Sequence, residues 1–80
     1  MRTIKIGRSA SNDLVLSNPK VSGNHATLVV QDNEMSATLK DLNSTNGTFV
    51  NNKRISPNEE VKLRSGDIIR IADEEFEFRA

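Results

Sequence analysis

The sequence predicts an all-β domain, a sandwich or barrel of short strands. Three observations carry that prediction. The apolar segments are short and rich in β-branched residues, turn chemistry returns at intervals of roughly ten residues, and no stretch repeats its apolar side chains at helical spacing.

Taken in order, Thr3-Ile4-Lys5-Ile6 alternates polar with apolar and runs into Gly7, as a half-buried strand does. A serine-rich turn at Ser9 to Asp13 precedes Leu14-Val15-Leu16, and His25 to Val30 forms a third run. Met35 to Leu42 alternates more weakly. Thr48-Phe49-Val50 leaves a polar loop, and Asn51-Asn52-Lys53 predicts a hairpin turn into Arg54-Ile55. After Pro57-Asn58, Val61-Lys62-Leu63 precedes the turn Ser65-Gly66-Asp67, which opens Ile68-Ile69-Arg70-Ile71. Asp73-Glu74-Glu75 reads as a charged turn before Phe76-Glu77-Phe78. No strand of this length stands alone, so all must pack together. Phe49, Phe76 and Phe78 alternate with polar residues, which predicts core positions rather than a platform for stacking bases.

Eighty residues leave room for one domain, residues 1–80, with no repeat, linker or low-complexity segment. A chain of this size buries only about 60% of its unfolded surface, so no large internal cavity is expected and each apolar strand position should matter. Eleven basic side chains balance eleven acidic ones, which predicts no general attraction to nucleic acid or to anionic membrane. The distribution is uneven. Arg2, Lys5, Arg8 and Lys20 against Asp13 give residues 1–25 a formal +3, leaving −3 for the remainder. With no cysteine there is neither a disulfide framework nor a thiolate metal site, and a reducing, cytoplasmic compartment is the expectation. No apolar run approaches the ~20 residues that span a bilayer, and a chain opening at Met1 argues against a secreted precursor stripped of its leader.

The most informative stretch is Asp41-Leu42-Asn43-Ser44-Thr45-Asn46-Gly47-Thr48-Phe49-Val50-Asn51. Asn46-Gly47 tolerates positive φ, and Asn43, Ser44 and Thr45 can bond their own backbone, so the loop should hold a single shape. Rigid polar loops are where recognition concentrates. Ser22, His25 and several aspartates invite a hydrolase reading, but no nucleophile elbow is present, and Ser22 and His25 stand three residues apart at the mouth of a strand. A hydrogen-bonded structural histidine is the better expectation. One histidine with scattered carboxylates matches neither zinc nor calcium ligand spacing, so no metal and no cofactor is expected. An anion site suits the residues better: Arg8 brings a permanently charged planar fork at a strand end, and Ser22 a hydroxyl donor beside the unencumbered backbone of Gly23. Singly, Arg8 reads equally well as a solvated arginine, Ser22 as a turn former and Asn46-Gly47 as an ordinary hairpin turn. Jointly they point to one polar end of a small sandwich.

Gly7-Arg8, then Ser22-Gly23-Asn24-His25 in a Ser-x-x-His frame, then the Asp41 to Asn51 run and finally Gly66-Asp67-Ile68-Ile69 resemble the forkhead-associated (FHA) domain in order and spacing. The resemblance covers nearly the whole chain. It implies a twisted antiparallel sandwich of about eleven short strands whose loops at one end bind a phosphothreonine peptide, without catalysis and as a monomer. It implies that Arg8 contacts the phosphate, that Ser22 donates its hydroxyl to it, and that Thr45 and Asn46 hold phosphate and peptide backbone. Gly7, His25 and Gly47 would support the loops. Many members carry basic residues between the Ser and the His, where this chain has Gly23 and Asn24. Asn24 can still bond a phosphate oxygen or peptide carbonyl but brings no charge, a loss of about tenfold to a hundredfold in affinity if nothing replaces it. Lys20 is the candidate replacement, and a phosphate-independent interaction domain is the alternative function.

Overall fold

A computed structural model of the chain describes residues 1–33 and 36–79. Among these, the strands are β1 (Arg2–Gly7), β2 (Leu14–Val15), β3 (Ala26–Val30), β4 (Ala37–Asp41), β5 (Thr48–Val50), β6 (Lys53–Arg54), β7 (Glu60–Leu63), β8 (Ile68–Ile71) and β9 (Glu74–Glu77). They form a five-stranded sheet, β2-β1-β3-β4-β7, and a four-stranded sheet, β6-β5-β8-β9. The all-β sandwich is as expected, with nine strands among the described residues rather than about eleven. The Met35 end of the fourth apolar run lies outside the described residues, and its strand begins at Ala37.

Among the described strands every pairing is antiparallel except β1 with β2, and one isolated parallel bridge joins Asp41 to Pro57. Parallel neighbours normally need a long crossover. Here β2 has two residues and the return is short, pinned where Asp13 Oδ2 accepts from Lys5 N (2.9 Å) and Gly7 O accepts from Leu16 N (2.9 Å).

Alternation then sorts the faces. Ile4, Leu28, Leu39 and Val61 line up across the first sheet, with Val30, Ala37 and Leu63 in a second row, and Val50, Ile69 and Phe76 lie in one row of the other sheet. Leu39, Leu63 and Ile71 are fully buried where the two sheets meet. Phe76 and Phe78 pack on this core, as expected. Phe49 does not: its neighbours Thr48 and Val50 take the inward positions of β5, so period-2 geometry turns Phe49 outward, where the Arg70 guanidinium stacks 3.7 Å from the ring centroid.

The acidic turn is also shorter than the composition suggested. Glu74 and Glu75 pair with Ile71 and Arg70 as strand residues, and the reversal is made at Ala72, φ 56°, and Asp73. The hairpin at Asn51-Asn52 forms as predicted, with φ 50° and 69° at its two central residues. Asn51 then bridges two turns, its side chain accepting from Ile68 N (2.9 Å) and donating to Asp67 Oδ1 (3.1 Å).

Between the free edges near β1 and β9 the sandwich gapes into a groove of about 510 Å³, lined chiefly by Ile4, Leu28, Val30, Ile69, Phe76 and Phe78. It is apolar, an open cleft rather than an internal cavity. No helix among the described residues is long and apolar enough to cross a membrane.

Candidate functional site

The polar loops gather at the end of the sandwich where β1 finishes and β3 and β5 begin. Gly7 makes this possible. It is buried, and a Cβ built on it would stand 2.2 Å from Gly23 O and 2.7 Å from Asn12 Nδ2. Only a residue without a side chain lets the loop after β1 lie against the Ser22-Gly23 segment. The closeness is used: Arg8 N donates to Ser22 O (3.0 Å), Ser9 N to Gly23 O (3.1 Å) and Asn12 Nδ2 to Gly23 O (2.7 Å).

His25 couples the second loop to the third. Its ring is fully buried, Nδ1 accepts from Ser22 N (3.0 Å), and Nε2 therefore carries the proton and donates to Gly47 O (2.8 Å). Both nitrogens are committed, and neither reaches a hydroxyl. The arrangement gives Ser22 no general base, which removes the hydrolase reading of this pair.

The third loop hangs on Asp41. Its buried carboxylate accepts from Ser44 N (3.1 Å), from Ser44 Oγ and from Thr48 Oγ1 (2.7 Å), while Ser44 Oγ in turn accepts from Gly47 N (3.1 Å). Three donors meet the buried charge, so the carboxylate fastens the loop from within. Positive φ falls at Asn43 (60°) and Gly47 (91°), not at Asn46, so the Asn46-Gly47 pair is no two-residue hairpin turn. A Cβ on Gly47 would sit 2.8 Å from Arg54 Nε.

On this scaffold Arg8, Pro19, Lys20, Val21, Ser22, Gly23, Thr45 and Asn46 line a shallow depression of about 320 Å³. The structure thus brings Arg8, Ser22, Thr45 and Asn46 together. Asn24 is exposed and stands outside that lining. Arg8 is exposed and lines the depression, its Nε is anchored on Val21 O (3.0 Å), and among the described residues no carboxylate pairs with its guanidinium. Ser22 Oγ accepts from Thr45 N (3.1 Å), which leaves the hydroxyl proton for an outside acceptor. Asn46 Nδ2 donates to Lys20 O (2.7 Å), tying the third loop to the second and leaving Oδ1 as an acceptor.

Sequence reasoning named Ser44 as a residue that fastens its own loop, but passed over Asn12 and Asp41, and it also missed the link from Asn18 to Asp73. The first two misses were findable: Asn12 sits in the serine-rich turn, and Asp41 stands at the spacing of a side chain bonding the backbone three residues on, at Ser44. The contact between Asn18 and Asp73 spans 55 residues and leaves no local trace.

A β-sandwich that gathers polar side chains from three loops around one open depression has the form of a recognition module. The profile of the FHA domain matches residues 4–72, and the chain belongs to that family, whose domain is a binding module. The transcriptional regulatory protein EmbR of Mycobacterium tuberculosis is 43% identical over 75 residues, covering 94% of this chain and 18% of EmbR. The chain therefore spans under a fifth of the length of that relative.

Among solved structures, one from a study of phosphothreonine-dependent FHA domain interactions superposes with TM-score 0.87 at 35% identity, covering 100% of this chain and 80% of the other. M. tuberculosis EmbR in complex with a low-affinity phosphopeptide gives 0.84 at 40%, covering 96% of this chain and 19% of EmbR. The N-terminal FHA domain of S. cerevisiae Rad53p, in complex with a phosphothreonine peptide, gives 0.74 at 28%, covering 85% and 54%.

Proposed function

We propose that residues 1–80 act as a single FHA domain that binds a phosphothreonine-containing segment of a partner protein in the depression between Arg8, Ser22, Thr45 and Asn46. One observation carries the reading: four side chains from three loops converge on one opening, and their spare groups are those a phosphopeptide needs. The Arg8 Nη groups and the Ser22 hydroxyl supply donors for the phosphate, and Thr45 and the Asn46 Oδ1 supply partners for phosphate and peptide backbone. Asn24, exposed and next in the chain to Gly23, is the candidate contact for the peptide beyond the phosphate. Gly7, His25 and Gly47 hold the loops, each by the contacts already described. Solved relatives that bind phosphothreonine peptides on the same fold support this reading over a phosphate-independent interaction.

The domain works by binding alone, as a cytoplasmic monomer without cofactor. Its zero net charge gives it no pull toward nucleic acid or membrane. The test is a calorimetric titration with two peptides of one sequence, with and without phosphate on the threonine. The phosphorylated peptide binds and its partner does not, and Arg8→Ala removes the binding while the domain stays folded, losing only the bond from Nε to Val21 O. Equal affinity for the two peptides contradicts the proposal.

A further inference from the structure

The β8–β9 turn, far from the polar loops in sequence, reaches back to them. Asn18 Nδ2 donates to Asp73 Oδ1 (2.6 Å) and to Glu74 Oε2 (3.1 Å), while Asn18 itself shapes the loop before Ser22 by accepting from Lys20 N at Oδ1 (2.9 Å) and from Val21 N at its carbonyl (2.9 Å). Asp73 has a second oxygen. Oδ2 lies 3.6 Å from Lys20 Nζ, and Lys20 lines the depression. The neighbouring Ala72 N donates to Gly47 O (3.0 Å), the acceptor that His25 also uses, so this turn is fastened to the frame of the site.

We propose that Asp73 is a positioning residue and a built-in counter-ion of the phosphate site: through Asn18 it fixes the loop carrying Lys20 and Ser22, and it yields the Lys20 ammonium to the doubly charged phosphate of the ligand. The proposal rests on the phosphothreonine reading and deepens it by naming the missing cation. Gly23 and Asn24 bring no charge between Ser22 and His25, and Lys20 is the one lysine among the residues that line the depression. In the free domain its charge is already met by Asp73.

A staple alone would need one carboxylate oxygen. The second oxygen, facing Lys20, is what makes the contact electrostatic as well. The pair is suited to exchange, because both side chains are more than half exposed (66% and 53%) and such pairs contribute little. Asp73 also stays ionised, its carboxyl held below the usual value chiefly by the Asn18 hydrogen bond and further by Lys20. A phosphate of charge near −2 outcompetes a carboxylate of charge −1 for the ammonium, whereas a ligand carboxylate has no such advantage. Asp73 thus lowers affinity for any anion that must draw Lys20 away from it.

The experiment titrates wild type, Asp73→Asn and Asp73→Ala with a phosphothreonine peptide and its unphosphorylated twin, and repeats Asp73→Asn in a Lys20→Ala background. Asparagine keeps an oxygen for Asn18 and discards the charge. Asp73→Asn is expected to bind the phosphorylated peptide about three- to tenfold more tightly, with a steeper loss of affinity as salt rises. That gain falls to about twofold or less without Lys20. Asp73→Ala, which also frees Asn18, gains less than Asp73→Asn. If Asp73→Asn binds no tighter while wild type prefers the phosphorylated peptide, the counter-ion role is overturned and the phosphothreonine reading stands. A wild type without that preference overturns both.

Discussion

Gly7→Ala tests whether the loop end of the sandwich is held by a backbone contact. The added methyl would lie 2.2 Å from Gly23 O and 2.9 Å from Gly23 C, and these are backbone atoms that cannot swing aside. Restoring ordinary contact moves Gly23 by roughly 1 Å, which strains or breaks the bonds that its carbonyl accepts from Ser9 N and Asn12 Nδ2. Two lost hydrogen bonds at about 1 kcal/mol each, added to an overpacking cost of about 1–3 kcal/mol, give about 3–5 kcal/mol. A domain of this size has a total stability of about 4–12 kcal/mol. The variant should therefore melt on the order of 15–30 °C lower, or fail to fold at room temperature. Gly23→Ala is the control on the other side of the contact: its Cβ would meet nothing within 4 Å, and its stability should stay within about 0.5 kcal/mol of wild type. Urea or thermal melts of the two variants provide the comparison. Equal melting of Gly7→Ala and Gly23→Ala would refute the argument from close approach.

Other outcomes follow from the same geometry. His25→Ala empties a fully buried site and leaves Ser22 N without its acceptor, so urea denaturation should show a loss of about 2–4 kcal/mol, with weaker peptide binding because two loops lose their tie. Asn24→Lys, at an exposed position, should leave stability unchanged and tighten phosphopeptide binding by about threefold or more in calorimetry if the rim lacks charge. Affinity for the phosphothreonine peptide should fall as pH drops through about 6, where the phosphate loses its second charge, and flat affinity there would contradict a dianion site. Asp67 is held below the ordinary carboxylate value of 3.8 chiefly by the Arg64 backbone N–H and then by Asn51. A depressed carboxyl stabilises the fold above its ordinary value and loses that contribution as pH falls below it, so Asp67→Asn should flatten the acid limb of the stability curve below about pH 4.

The strands were legible because their faces alternate and their turns carry asparagine, glycine and aspartate. Ile4 and Ile6 on β1, or Ile69 and Ile71 on β8, declare an inward face with no help from the structure. Phe49 was misread for a tertiary reason. Alternation gives the period but not the phase, and in a strand of three residues the buried Thr48, which satisfies its hydroxyl on Asp41, takes the inward phase that an aromatic would be expected to claim. The parallel pairing of β2 was likewise invisible, since nothing in Leu14-Val15 marks direction.

At the site, Arg8, Ser22, Thr45 and Asn46 could be chosen by residue type and spacing, and the fold gathers them around one opening. What the chain could not reveal was how they are held. Val21 offers a carbonyl to Arg8 and Lys20 one to Asn46, and backbone acceptors carry no mark in the sequence. Asn18 and Asp73 meet only because two loops of different sheets share one end of the molecule. Buried His25 shows the opposite case: one residue, recognisable by type, whose two ring nitrogens bind the second loop to the third.

The central claim is that the polar depression, and not the larger apolar groove, receives a phosphorylated threonine. Chemical-shift mapping of the labelled domain during titration with a phosphothreonine peptide tests it most directly. The account predicts saturable shifts centred on Arg8, Ser22, Thr45 and Asn46 that the unphosphorylated peptide does not produce. Shifts centred on Leu28, Val30, Phe76 and Phe78, or identical shifts with both peptides, would contradict it.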